Sequence, residues 1–289
     1  MTHGSFVLYG GGLGWRYASD SPERGPHTAA RGSGSDSYLC TTVMGGRTPS
    51  YDFDPFDLRA VDAWWLLGPV SRDLALSSFE AFDFEGSIHR QHAVFAGGEG
   101  GGGQVWVNRA PEPWTVAGGT LPKDGFYAET AGARAGIVEF AGRRCAFSAS
   151  GGTVFVDGRP DRNDGTGPAD AANATALADF APLGIKTDGA FRLERDGDRA
   201  LLLTPIPDMG RPFRAELDLA ALACPAATPL RDLQRSARPA ATSLWGCDSV
   251  SAVEPVDPAP GAARPDWRQT GATLSLAVDA KSFAYRVSF

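Results

Sequence analysis

Lysine is nearly missing from this chain: only Lys123, Lys186 and Lys281 occur, and arginine carries the rest of the positive charge. With 34 acidic against 27 basic residues the net charge is −7, and the basic residues form no long run. Such a chain lacks the electrostatic footprint of a nucleic-acid or anionic-membrane binder. No stretch approaches the roughly 18 apolar residues of a membrane span. Met1 to Trp15 has neither the basic start nor the apolar core of a signal peptide. The chain as written is therefore expected in the cytoplasm, and outside the cell if it belongs to a longer secreted polypeptide. Cysteine is scarce as well: Cys40, Cys145, Cys224 and Cys247 form no Cys-x-x-Cys pair, which argues against a zinc ribbon or a thioredoxin-type site. Cys224 and Cys247 flank a proline-rich segment, and their spacing is compatible with a disulfide or with two small buried thiols.

Histidine is limited to His3, His27, His89 and His92, without a His-Glu-x-x-His pattern. His89 and His92, three apart on an expected strand, face opposite ways, so no metal site is expected. No cofactor is expected either. The run Gly10-Gly-Gly-Leu-Gly14 follows a strand-like Ser5-Phe-Val-Leu-Tyr9 but has no Gly-Lys-[Ser/Thr] ending, and no helical pattern opens after it. A Gly-x-Ser-x-Gly elbow is also absent.

What is present reads as a mostly β protein. Hydrophobic residues make up 43% and charged residues 21% of 289 residues, ordinary globular composition with length enough for two domains. The wealth of Ala, Gly, Asp and Pro, with Arg in place of Lys, points to a GC-rich bacterial genome. Residues 1–51 are irregular and glycine-rich, with Tyr38–Met44 as a second short apolar run. One helix is expected over about 55–77: Asp54 suits its N-cap, Pro55 its first position, and Val61, Trp64, Trp65 and Leu67–Leu74 its broad apolar face. Pro69 should kink or break it. From Phe79 onward short alternating runs predict strands at Ile88–Phe95, Gln104–Asn108, Ala135–Phe140, Arg144–Phe147, Thr153–Val156, Phe191–Arg195, Arg199–Thr204, Ala272–Ala277 and Phe283–Phe289. Asp196-Gly-Asp198 marks a hairpin turn. The resulting division is an α/β segment over 1–78, a β-sandwich domain over 79–210, and further strands over 211–289 with a Pro/Ala-rich loop at 239–265. Residues 159–179 form a second polar, small-residue stretch.

Chemistry-bearing residues gather early. Asp20, Glu23, Asp36, Asp52, Asp54 and Asp57 crowd beside Trp15, Tyr17, Tyr38 and Tyr51. Sugar sites combine carboxylates with aromatic platforms, and glycoside hydrolysis needs two carboxyls at a set separation. Acids near loops also cap helices or face water, as Asp54 and Asp57 do in a first helical turn. Later in the chain Trp106, Trp114, Trp245 and Trp267 offer stacking surfaces, although Trp106 alternates with valines like a core residue.

Several phrases together resemble the end of a bacterial glycoside hydrolase in which a catalytic barrel is followed by β domains. Phe56-Asp-Leu-Arg-Ala-Val-Asp-Ala-Trp-Trp-Leu-Leu-Gly-Pro-Val70 looks like the last barrel helix. His89-Arg-Gln-His-Ala-Val-Phe95, Val105-Trp-Val-Asn-Arg109, Pro113-Trp-Thr-Val116 and Leu121-Pro-Lys-Asp-Gly-Phe126 look like the opening of the following sandwich, continued by Gly189–Glu194 and Leu203–Pro205. The resemblance implies a short α/β segment like the end of a (β/α)8 barrel before β-sandwich regions. It also implies a carbohydrate-active protein. A barrel needs about 250 residues, so the resemblance further implies an incomplete catalytic site, completed by an upstream catalytic half or partner chain. Trp15, Asp36, Tyr38 and Arg47 are the candidate substrate-binding residues, with no catalytic residue assigned. Two alternatives stand beside this reading: a non-catalytic carbohydrate-binding β module, and an interaction protein docking through Trp64 and Trp65.

Overall fold

The computed structural model describes residues 33–49, 58–97, 101–140, 142–159, 176–206, 212–222, 249–262, 264–279 and 281–289. They fall into two compact units, one built from residues up to Ser150 and the other from Gly151 onward. The chain is mostly β, with large antiparallel sheets.

Two helices lead the first unit. α1 spans Ser33–Met44 and α2 spans Leu58–Leu74. The run Tyr38–Met44, read from sequence among loops and strands, is thus helical. Asp36, Tyr38, Leu39, Cys40, Thr42, Val43 and Met44 are all buried, so the helix is covered nearly all round. Ser37 and Thr41 form its wetter side, but polar Asp36 and Thr42 stand on the buried side too, so the 3.6-residue contrast that announces helices disappears. In α2 the period is plain: Ala60, Ala63, Leu67, Val70 and Leu74 are buried in steps of three and four. The expected N-cap Asp54 and the following Pro55 lie outside the described residues.

Pro69 does not end α2. A proline has no N–H, so the carbonyl four residues back, that of Trp65, loses its helical partner. The hydroxyl of Ser148, from the sheet beneath, donates to that carbonyl at 2.6 Å. The vacancy in the helix ladder thereby becomes a link between helix and sheet.

The sheet of this unit consists of β1 (Ser78–Phe84), β2 (Arg90–Ala96), β3 (Gly103–Asn108), β6 (Gly125–Thr130), β7 (Ala133–Phe140) and β8 (Arg143–Ser150), adjacent in that order and antiparallel throughout. Between β3 and β6 the short strands β4 (Trp114–Val116) and β5 (Gly119–Leu121) form a hairpin. Period-two alternation sends Ala93, Val105, Ala128, Ala135 and Ile137 to the helical side, where their small size lets α2 lie close to the sheet. On the other face Gly118 of the β4–β5 turn sits so near the Tyr127 ring that an added Cβ would overlap it at 2.3 Å. Asn108 anchors the intervening loop, donating from Nδ2 to the carbonyls of Glu112 and Leu121 at 2.9 and 3.0 Å and accepting from the Ala110 N–H.

The second unit holds two sheets. One contains β9 (Thr153–Asp157), β12 (Ala190–Arg195), β13 (Ala200–Pro205), β18 (Ser282–Ser288) and β15 (Ala252–Pro258) in that order. The other runs β10 (Ala178–Phe180), β11 (Ile185–Thr187), β14 (Phe213–Asp218), β17 (Thr273–Val278) and β16 (Asp266–Thr270). Phe191 of the first sheet stacks on Phe213 of the second, with centroids 6.0 Å apart, an arrangement consistent with a β-sandwich. Asp196-Gly-Asp198 turns the β12–β13 hairpin as its sequence predicts, with Gly197 at φ 71. The Pro/Ala-rich stretch 239–265 is not loop throughout: β15 falls inside it and pairs with β18, its two prolines being tolerated on an edge strand. Likewise β10 lies at the end of the polar stretch 159–179. Arg159 is buried against Asp157 through hydrogen bonds of 2.8 and 2.6 Å.

Among the described residues no helix is long and apolar enough to cross a membrane. Cys40 and Cys145 are buried thiols, while Cys224 and Cys247 lie outside the described residues.

Candidate functional site: a groove on the outer face of a five-stranded sheet

The residues singled out by the sequence fall in different surroundings. Trp15 lies outside the described residues. Asp36 and Tyr38 are 2% and 1% exposed within α1. Arg47 is exposed just after α1, and its carbonyl accepts from Ser71 Oγ at 3.0 Å. Among the described residues, Asp36 and Tyr38 are buried and Arg47 is exposed, so these three side chains do not share a common surface.

Asp36 belongs to a charged lock that fastens α1 to the sheet. Arg144 of β8 pairs with the Asp36 carboxylate and donates to the carbonyls of Lys123 and Asp124 at 2.6 and 3.1 Å. Arg109 reaches Ser37 Oγ at 2.9 Å and Thr41 Oγ1 at 2.8 Å, with the Asp124 carboxylate 3.9 Å away. Cys40 is buried beside these charges, and desolvation pushes its thiol far above the ordinary range, so it is no thiolate nucleophile. Asp124 holds φ at 53, unusual for a side chain with a Cβ, and burial raises its carboxyl pKa.

Of the tryptophans offered as sugar platforms, Trp106 and Trp114 are buried, and Trp245 is outside the described residues. His92 lies flat on Trp106, with centroids 4.7 Å apart and planes 5° apart, while its Nε2 sits 3.1 Å from Gln104 Oε1. His89 lies in the turn before β2 and not on the strand. Among the described residues no group of three or more His, Cys, Asp or Glu is placed to hold a metal. Trp267 is half-buried on β16, in register with Leu276 and through it with Ala215, and these three residues contribute to the lining of a groove on this five-stranded sheet.

The outer side of that sheet carries the candidate site. Strand register builds it row by row. Arg214, Ala277 and Asp266 stand opposite one another, as do Glu216, Ser275 and Arg268. The second row continues through Lys186 to Asp179. Small residues on the central strand β17 leave a trough between charged residues on β14 and β16. This groove has a volume of about 240 Å³; Arg214, Glu216, Asp266 and Arg268 stand at its sides, Ser275 and Ala277 lie along its floor, and Leu177, Ala215, Trp267 and Leu276 complete a lining in which apolar surface predominates. Asp188 fixes one wall: it takes the Arg214 backbone N–H at 2.7 Å and its guanidinium at 2.9 and 3.1 Å. At the far end Lys186 and Asp179 pair at 3.0 Å, and the hydrogen bond that the lysine donates to Asp179 raises its pKa.

Protein families, curated proteins and solved structures were compared with this chain. None matches.

Each wall of the groove carries one guanidinium and one carboxylate, Arg214 and Glu216 on β14 and Asp266 and Arg268 on β16, so donors and acceptors face each other in both rows. Its volume falls below the roughly 300–1,000 Å³ of sites for drug-sized molecules. Glu216 and Asp266 stand diagonally across the groove: two strand spacings of ~4.8 Å and two residues of ~3.4 Å separate their backbones by about 12 Å. The sequence contained the alternation of β17, and its exposed positions are the floor. β14 escaped notice because only Arg214, Glu216 and Asp218 alternate with apolar residues in its short span.

Proposed function

We propose that the protein is a carbohydrate-directed β module, akin in layout to the end of a glycoside hydrolase, that binds sugar rather than cleaving it. The groove on the five-stranded sheet is its binding face. The observation that carries this reading is the trough over Ser275 and Ala277 between Arg214, Glu216, Asp266 and Arg268. Vicinal hydroxyls of a pyranose are donors and acceptors at once, and such paired charged walls satisfy both roles. The burial of Asp36, which withdraws it from any substrate, favours binding over hydrolysis. In this reading, any hydrolytic activity resides on a separate catalytic half, of which α1 and α2 would be the barrel-end trace.

A glycan-array screen of the intact chain, run beside a panel of chromogenic glycosides, tests the proposal. Expected is binding to a defined glycan without turnover. Loss of one charge-assisted hydrogen bond in Arg268→Ala should weaken that binding about tenfold or more. Ala277→Trp should abolish it by filling the floor. Both positions are on the outer face, so thermal unfolding should barely change. Turnover by the wild-type chain, or glycan binding indifferent to both substitutions, would overturn the proposal.

A further inference from the structure

We propose that β1 is a docking edge for an extended segment of another protein, one whose side chains alternate apolar and basic.

β1 begins its sheet and pairs only with β2; among the described residues no strand lies along its other side. Such an edge presents a row of unpaired N–H and C=O groups, ready to hydrogen-bond an added strand. Both faces of β1 are open. Phe79, Phe82 and Phe84 are 36%, 38% and 53% exposed, and Asp83 and Glu85 are exposed too.

The register explains why three aromatics share one side. The pairing slips between Phe79 and Ala81, so that Glu80 is an extra residue. Phe79 then faces Phe95, Phe82 faces Ala93, and Phe84 faces Gln91. This is the side that α2 covers farther along, over β6, β7 and β8. The three rings lie beyond that cover in a chain of contacts: Phe79 stacks on Phe82 at 6.4 Å, Phe82 meets Phe84 edge-on at 5.0 Å, and Phe79 meets Phe95 of β2 edge-on at 5.4 Å. They form a ready-made apolar shelf.

Charge selects the occupant. Asp83 points to the opposite side from the rings, in register with His92, and Glu85 continues beyond the strand end, 3.8 Å from that histidine. From Asp73 to Ile88 the charged residues are Asp73, Glu80, Asp83 and Glu85, with no lysine, arginine or histidine among them. His89, Arg90 and His92 follow directly, and His92 stands opposite Asp83 and beside Glu85. A second copy of β1 would nevertheless add acids to this edge and no lysine or arginine of its own strand. A strand alternating apolar and basic residues meets the phenylalanine shelf on one side and the acids on the other. The same acids and the Glu80 bulge that keep identical edges apart therefore define which strand is admitted.

The test uses the full chain and short synthetic peptides alternating Lys with Val or Glu with Val, followed by fluorescence anisotropy and hydrogen exchange. Expected is saturable binding of the Lys/Val peptide that slows amide exchange over residues 81–85, with the Glu/Val peptide silent. The double substitution Asp83→Lys, Glu85→Lys, at two exposed positions, should weaken Lys/Val binding by about tenfold and admit the Glu/Val peptide. Equal binding of both peptides, or of neither, would sink the proposal. So would unchanged peptide preference in the double variant, or protection of β1 that grows with protein concentration in the absence of peptide.

Discussion

At the scale of single residues, Asp124 couples the fold to pH. Its carboxyl holds its proton to a higher pH in the folded chain than in the unfolded one, because burial disfavours the charged form. The native state then binds more protons than the unfolded state above the ordinary value of 3.8, and stability falls as pH rises from there through the raised folded value. Asp124→Asn removes this loss and suits the positive φ, which asparagine tolerates better than most residues. Urea unfolding across a pH series should show the variant gaining on the wild type as pH increases, with the two closest in acid. A variant with the wild-type pH slope would assign that slope elsewhere. Little of this was legible in the sequence. The early acids and aromatics read as a sugar site, yet Asp36 and Tyr38 lie under the surface. What decides a carboxylate's role is whether an arginine from a distant strand reaches it, and Arg144 is more than a hundred residues away.

At the scale of elements, helix α2 and strand β8 share one hydrogen bond that neither would need alone. Ser148→Ala should cost about 1 kcal/mol, the net worth of the part-buried hydrogen bond to the Trp65 carbonyl. Pro69→Ala restores an N–H to the helix ladder four residues after Trp65. The double variant should therefore lose less stability than the sum of the single changes, a coupling that a double-mutant cycle by denaturant unfolding measures. Strict additivity would mean that Ser148 matters only for packing. The run Ala272–Ala277 was readable because alternation survives where one face is wetter than the other, as in β17. Gln104–Asn108 and Ala135–Phe140, buried on both faces, were readable only as short apolar runs between turn residues. Helix α1 was not readable, since its buried side carries Asp36 and Thr42 as well as apolar residues, which erases its period. The continuation of α2 past Pro69 was equally hidden, because the compensating hydroxyl comes from the sheet.

At the scale of the molecule, the two units offer surfaces of opposite character. The groove is a mixed-charge face for a hydroxyl-rich ligand, whereas β1 is an apolar edge with acids of one sign. Salt separates the two. Affinity for a neutral glycan should hardly change with ionic strength, while affinity of the Lys/Val peptide should fall as added salt shortens the screening length from about 10 Å at 0.1 M to about 3 Å at 1 M. Isothermal titration at both salt concentrations checks this, and a salt-sensitive glycan affinity would point to a charged sugar. The mostly β character was legible from composition and turn spacing alone. The assignment of strands to separate sheets was not, since pairing across long intervals, as of Phe213–Asp218 with Thr273–Val278, leaves no local trace.

The hydroxyl beneath Pro69 also constrains how this sequence can drift through evolution. Proline at position 69 is tolerable while position 148 carries a hydroxyl, and a hydroxyl at 148 is needed while 69 is proline. The two sites, 79 positions apart by number, form a linked pair of characters. Descendants that lose the proline first are free to lose the serine, whereas those that lose the serine first pass through a weakened intermediate. The order of substitution is thereby biased, and in any set of related chains the two positions should change together.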